Sequence, residues 1–364
     1  MMKGLLSIIL IIISSTLSFA TKSNFSYDKT RIIDNTYPIS PSTYTEIENK
    51  YGDIEVELWD KDSIRFEIEI IVHSDKEEEL SEMLNMIRID IKASSAFIMA
   101  QTNWSEDVGL FKKGFLKIDQ EVSKNARYKV NYKITLPINS ELSVTNKFGD
   151  IYFSKYTGKL DIDLSYGNLR AHELSNVRNM KVKYGKVKIK KLPQGRISLG
   201  SVKSFDIEES NELDIESSSS EINIGEIKIL SIKSSHDDIN IEKISELKGT
   251  SSMSDLIVFS LKDRVHLISK YGSIKIKDVD LECERLYFEG VKTDFQIDYT
   301  AFFNSSVDIT LIKESSFTYH SSFILDTSED EGSEIKRIKG SIHEHSDTKL
   351  VMKCENGYIQ FDEK

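Results

Sequence analysis

One short pattern returns about every 18 residues, and it limits what this chain can fold into more than any other feature. It reads Lys50-Tyr51-Gly52-Asp53-Ile54, then Lys147-Phe148-Gly149-Asp150-Ile151, Ser165-Tyr166-Gly167-Asn168-Leu169 and Lys183-Tyr184-Gly185-Lys186-Val187. Looser copies follow at Leu199-Gly200-Ser201-Val202, Ser219-Ser220-Glu221-Ile222, His236-Asp237-Asp238-Ile239 and Met253-Ser254-Asp255-Leu256. Lys270-Tyr271-Gly272-Ser273-Ile274 is clean again, Lys292-Thr293-Asp294-Phe295 is weaker, and Asn356-Gly357-Tyr358-Ile359 lies near the C-terminus. The apolar residues after each turn are Ile151, Leu169, Val187, Val202, Ile222, Ile239, Leu256, Ile274 and Phe295, with gaps of about 15 to 21. Between turns, apolar and polar residues alternate, as in Leu160-Asp161-Ile162-Asp163-Leu164. Period-two alternation predicts half-buried strands.

A unit of this size cannot enclose a core. Stacked units bury a shared apolar column and pair every backbone edge. The predicted fold is therefore all-β, a parallel, right-handed β-helix or solenoid, with an N-terminal α+β capping section. Eleven coils at the strand spacing would give a rod on the order of 50 Å long. The glycine of the pattern is expected to supply a positive φ at a sharp corner. A propeller needs longer units. A sandwich needs regular hairpin signals, and Asn356-Gly357 is the one Asn-Gly dipeptide.

Residues 1–20 read as a signal peptide: Lys3, an apolar run from Leu5 to Ile13, and small residues at Ser18 and Ala20. That run is too short to span a bilayer, which takes roughly 20 residues. No other stretch approaches that length, so no membrane span is expected in the mature chain. Residues 21–43 form an N-terminal extension, 44–140 the first coil plus the α+β cap, and 141–364 the repeats of about 18 residues. Within the cap, Leu80, Met83, Leu84 and Ile87 predict an amphipathic helix, with Ser74 or Asp75 as its cap. This section is expected to cover an open end of the stack, whose unpaired backbone groups invite association. A net charge of −11 argues against nucleic acid and anionic membrane surfaces as partners.

The run Glu48-Asn49-Lys50-Tyr51-Gly52-Asp53-Ile54, followed by Leu58-Trp59-Asp60-Lys61-Asp62, resembles the start of the bacterial putative-adhesin family of exported β-helix proteins, near the head-GIN putative auto-transporter adhesins. The echoes at Asn146–Ile151 and Leu164–Leu169 resemble its inner repeats, and the likeness runs from about Tyr44 to the last Phe. It implies a β-helix, export to the periplasm, cell surface or medium, and an adhesive or interaction role. The family offers no catalytic residues to carry over. Between about Phe302 and Lys349 the pattern is blurred.

Several residue groups invite a chemical reading. Phe148, Tyr166 and Tyr184 lie one coil apart, as a sugar-binding ladder or as a stacked corner, and the corner is the simpler reading. The runs Ser217–Ser220, Ser234-Ser235 and Ser251-Ser252 lack a nucleophile elbow and read as hydrogen-bonded corners. His343 and His345 would share one strand face, two ligands where a metal normally needs three or four. Asp326, Glu329, Asp330, Glu331 and Glu334 lack calcium-loop spacing and read as a solvated loop. Cys283 and Cys354, three or four coils apart, are too distant for a disulfide unless the blurred stretch breaks the coil count.

No catalytic, cofactor or metal residues are therefore expected, and no cofactor. The predicted function is an exported, non-catalytic interaction module with a protein or glycan partner in the cell envelope. The competing reading is a polysaccharide-cleaving β-helix enzyme, which needs long corner loops and clustered acids and bases. The short coils leave little chain for groove walls. A purely spacing scaffold is a third reading.

Overall fold

The computed structural model describes residues 25–40, 42–104, 128–332 and 334–364. Among them are 22 strands and one short helix, so the protein is all-β. The expected signal peptide, residues 1–20, lies outside the described residues.

From 151 to 299 each strand pairs in parallel with the strand one repeat away. Ile151 faces Leu169, Leu169 faces Val187, and Val187 faces Phe205. Phe205 faces Ile222, Ile222 faces Ile239, and further on Ile274 faces Phe295. These residues form an interior row, none more than 1% exposed. The row corrects the expectation for Val202. Ser201 turns the corner, but an extra residue follows it, so Phe205 occupies the registered position. Val202 is buried beside the corner. Strand Asp238–Ile276 has 39 residues, roughly 130 Å if straight. Its first part pairs with Glu221–Ser235 and its last with Arg285–Tyr299, and it bends at Met253 and Tyr271.

The corners are built differently from the expectation. The left-handed residue is the one before the glycine: Tyr51 (φ 63°), Phe148 (62°), Tyr166 (59°) and Tyr184 (55°). Ser201, Ser219, His236, Met253, Tyr271 and Lys292 continue the series, with φ between 50° and 59°. Gly149 and Gly167 have no positive φ; they are needed because successive layers touch backbone to backbone. A Cβ on Gly149 would lie 1.9 Å from the carbonyl oxygen of Gly52, and one on Gly167 1.9 Å from that of Gly149.

The first unit, strands Tyr44–Lys50 and Ile54–Trp59, stacks on residues 141–153, 97 residues later, with Tyr44 facing Glu141 and Ile54 facing Ile151. Its other side pairs with strands Phe97–Trp104 and Tyr128–Pro137. The layer then becomes antiparallel. Strand Ser63–Ser74 pairs with Tyr128–Pro137, and Tyr27–Pro38, inside the expected extension, pairs with Ser63–Ser74. Helix Glu77–Met86 buries Leu80, Met83 and Leu84 as its periodicity requires. Neither Ser74 nor Asp75 caps it. Lys76 stands at that position without a side-chain cap, and the Ser74 hydroxyl donates to Glu79 instead.

At the C-terminal end the layers leave sequence order. Strands Lys349–Glu355 and Tyr358–Glu363 stack directly on Arg285–Tyr299, 64 residues earlier, with Leu286 facing Leu350 and Phe295 facing Ile359. Strands Ser305–Ile312 and Ser316–Tyr319 lie beyond them. Ile335–Ile342 and then Phe323–Glu331 follow, both antiparallel. Cys354 and Cys283 therefore belong to adjacent layers, not layers three or four apart. Both are nevertheless buried and free. Arg285 faces Lys349 and Gly290 faces Cys354, so about seven residues, roughly 20 Å of strand, separate the thiols. Burial pushes the Cys283 thiol up to about 12.

Gly167→Ala should cost about 3 kcal/mol or more in urea unfolding, because its Cβ collides with backbone. Ser201→Gly should be neutral or stabilise by up to about 1 kcal/mol by removing a left-handed serine. A reversal of that order would refute this account of the corner. Thiol titration should find two free cysteines after denaturation and none reactive in the native protein at pH 8. Raising a thiol's pKa favours its neutral form, so the Cys283 contribution is complete below pH 9 and declines as pH climbs toward 12. Cys283→Ser should flatten that alkaline decline.

Candidate functional site

The corner rows fall into two chemistries. In the first layers the aromatic rings stack face to face: Tyr51 on Phe148 at 4.9 Å, Phe148 on Tyr166 at 4.9 Å, and Tyr166 on Tyr184 at 4.7 Å. Lys50 and Lys147 each place an ammonium 4.8 Å from a ring, over Tyr51 and Phe148. A left-handed residue costs about 1–2 kcal/mol. Stacking at about 0.5–1.5 kcal/mol per pair offsets most of that. Rings this close leave no gap for a sugar, so the ladder is a structural column. Tyr184 ends it, and the next corner residues are Ser201 and Ser219.

The residue after the glycine has its own task. Asp53 accepts the backbone N–H of Asp150, Asp150 accepts that of Asn168, and the Asn168 side chain accepts that of Lys186. Tyr-Gly-Asp thus decodes as turn, close approach and cap for the next layer. Tyr152 also donates to Asp150, and burial first, then that bond, pushes its hydroxyl up to about 12.

In the later layers buried hydroxyls replace the rings. The Asp237 carboxylate, 2% exposed, accepts from the Ser217 hydroxyl and from the backbone N–H groups of Ser220 and Ser235. Ser254 accepts from the N–H of Asp237 and from the Ser234 hydroxyl, and Ser251 donates to Ser269. Ser217, Ser220, Ser234 and Ser251 are all buried in these chains, and their bonds hold corners together.

The outer face of the same strands carries a groove of about 600 Å³. Its floor is Gly200, Ser218, Ser235 and Ser252, one per layer, between Lys183 at one end and Lys270 at the other. A second row runs from Lys181 through Ser198, Glu216, Lys233 and Thr250 to Ile268. Small residues between long ones produce the concavity. Lys183 lies along the floor, its Cγ 3.3 Å from where a Gly200 Cβ would stand. Glu216 is bound to Lys233 at 2.7 Å, which holds its carboxyl below the usual range. The looser repeats hid this groove: they look like decayed copies of the motif, although Lys-Tyr-Gly closes both sides of the run.

The other candidates do not assemble. His343 and His345 are not on a strand; both follow Ile335–Ile342, with His343 left-handed at φ 53°. Nε2 of His343 lies 3.3 Å from Glu363, whereas Nε2 of His345 lies 3.0 Å from Asp326. The acidic segment is no loop. Asp326, Glu329 and Asp330 lie on strand Phe323–Glu331 and are exposed, with Glu334 in the turn after it. Among the described residues no three His, Cys, Asp or Glu side chains are placed to hold a metal ion, and no helix is long and apolar enough to cross a membrane.

Residues and geometry together define an all-β chain of parallel-paired strands with a groove on an outer face. No protein-family model matches it, and neither does any curated protein. Among solved structures it is similar to a putative cell adhesion protein from Clostridium sporogenes, at 10% identity over 92% of this chain and 100% of that one, with a TM-score of 0.20. It is similar also to a putative lipid binding protein from Parabacteroides distasonis, at 12% identity over 92% and 96%, TM-score 0.33. A putative adhesin from Parabacteroides merdae aligns at 10% identity over 91% and 96%, TM-score 0.29. Likenesses of this size establish neither family nor function.

Asp237→Ala strands three donors and should cost about 3 kcal/mol, whereas Asp150→Ala, at a part-exposed corner, should cost about 1 kcal/mol. Equal losses in urea unfolding would contradict the assignment of Asp237 as the buried hub.

Proposed function

We propose that this chain is an exported parallel β-helix, closed at one end by residues 44–140, that acts as a non-catalytic, adhesin-like binding module. The observation that carries the reading is the groove. Its floor crosses four successive layers, so it suits an extended ligand better than a compact one. The 17- to 18-residue register of the pairs around it supports the β-helix. The short apolar N-terminal run supports export to the periplasm, surface or medium, and a protein or glycan of the envelope as the partner.

Against catalysis stands the groove's own chemistry. Glycoside cleavage calls for two carboxyl groups in partnership. Glu216 alone lines the groove, and Lys233 occupies it.

The test uses the mature chain, residues 21–364. Ser218→Trp and Ser235→Trp fill the floor without touching the buried hydroxyls. Both should abolish binding to isolated envelope fractions while leaving the unfolding midpoint within about 2 °C. Undiminished binding by both variants would remove the groove from the account. Reproducible cleavage of any member of a broad polysaccharide panel would overturn the non-catalytic reading.

A further inference from the structure

The groove's charge points to a ligand class. The chain carries a net charge of −11, yet four lysines and one glutamate line this groove. Lys233 is tied to Glu216, and Lys181 to Asp163 at 3.4 Å. Lys183 and Lys270 make no ion pair among the described residues. They stand at opposite ends of that floor, five layer steps apart, roughly 24 Å. In a protein this acidic, two uncompensated ammonium groups on one face form a local potential complementary to an anion.

We propose that the groove binds an anionic polysaccharide lying along the stack, its carboxylate or sulfate groups reaching Lys183 and Lys270. This rests on the groove being the binding face. An acidic peptide would satisfy the charge but not the backbone. Extended peptides gain affinity by pairing with a free strand edge, and the strands beneath this groove are already paired on both sides. What the floor offers is outward serine hydroxyls, which exchange hydrogen bonds with sugar hydroxyls. Beside the Lys183 end, Tyr184 stacks on Tyr166 through one ring face, and the following corner residue is only a serine. That leaves an aromatic face on which the C–H side of a sugar ring can rest.

Calorimetric titration of the mature chain decides the matter, with four probes of matched length. They are an oligouronate, a sulfated oligosaccharide, a neutral oligosaccharide and a polyglutamate peptide. The oligouronate, the sulfated probe or both should bind, the neutral one at least about tenfold more weakly, with affinity falling as salt rises. Each exposed ammonium contributes up to about fivefold, so the double variant Lys183→Gln, Lys270→Gln should weaken binding about tenfold. The double arginine variant should retain it. Equal binding of the neutral probe, tighter binding of polyglutamate, or binding of none of the four overturns the anionic-polysaccharide assignment. Oligouronate binding that survives Ser218→Trp instead overturns the groove itself, whatever the ligand.

Discussion

Backbone-to-backbone contact at the corners is the constraint on which the rest depends. Parallel layers sit at strand spacing, and at the corner nothing thicker than a hydrogen atom fits between Gly149 and the carbonyl of Gly52. That fixes the stacking direction and so the positions of the flanking residues. The neighbour on one side must turn left-handed, and the neighbour on the other can reach the next layer's amide. Where glycine is absent, buried Ser220, Asp237 and Ser254 carry the corner by hydrogen bonds. Asp237 is held by three donors, so its burial does not leave an unmatched acceptor.

The all-β class was legible because parallel pairing imposes the same demand on strand after strand. Alternation marked the strands, and the Tyr-Gly-Asp echo marked the corners. The helix stripe Leu80, Met83, Leu84 followed from its own periodicity. Three things were not legible. Conformational preference alone points to glycine as the strained position, whereas the residue before it is left-handed and glycine is required by contact with a residue 97 positions earlier. A single extra residue moved the registered position from Val202 to Phe205, which alternation cannot detect when both are apolar. The partner of Lys349–Glu355 was hidden because alternation says which face a strand buries and nothing about which strand lies beside it. The groove was concealed for a related reason: a concavity made by omitting large side chains looks, in sequence, like loss of pattern.

Both ends of the stack are finished with antiparallel strands, and their outermost strands differ in chemistry. Tyr27–Pro38 has Arg31 bound to the Ile87 carbonyl and Asp34 paired with Arg65. Phe323–Glu331 presents Asp326, Glu329 and Asp330 to solvent. Charges on an outer strand oppose edge-to-edge growth, a standing hazard for any fold built by adding like strands to like.

The placement of Lys349–Glu363 between two earlier-made layers has a consequence for biogenesis. A chain of stacked repeats can zip up from its N-terminus as it emerges, each unit settling on the one before. Here that process runs only from Ile151 and halts at Tyr299. The next layer is supplied by Lys349–Glu363, so Ser305–Tyr319 and the hairpin beyond must wait, their apolar faces uncovered, until that later segment has emerged. Completion is thus governed by a contact of long sequence separation, the slow kind. A polypeptide lacking Lys349–Glu363 would lose an inner course of the wall and not merely its rim.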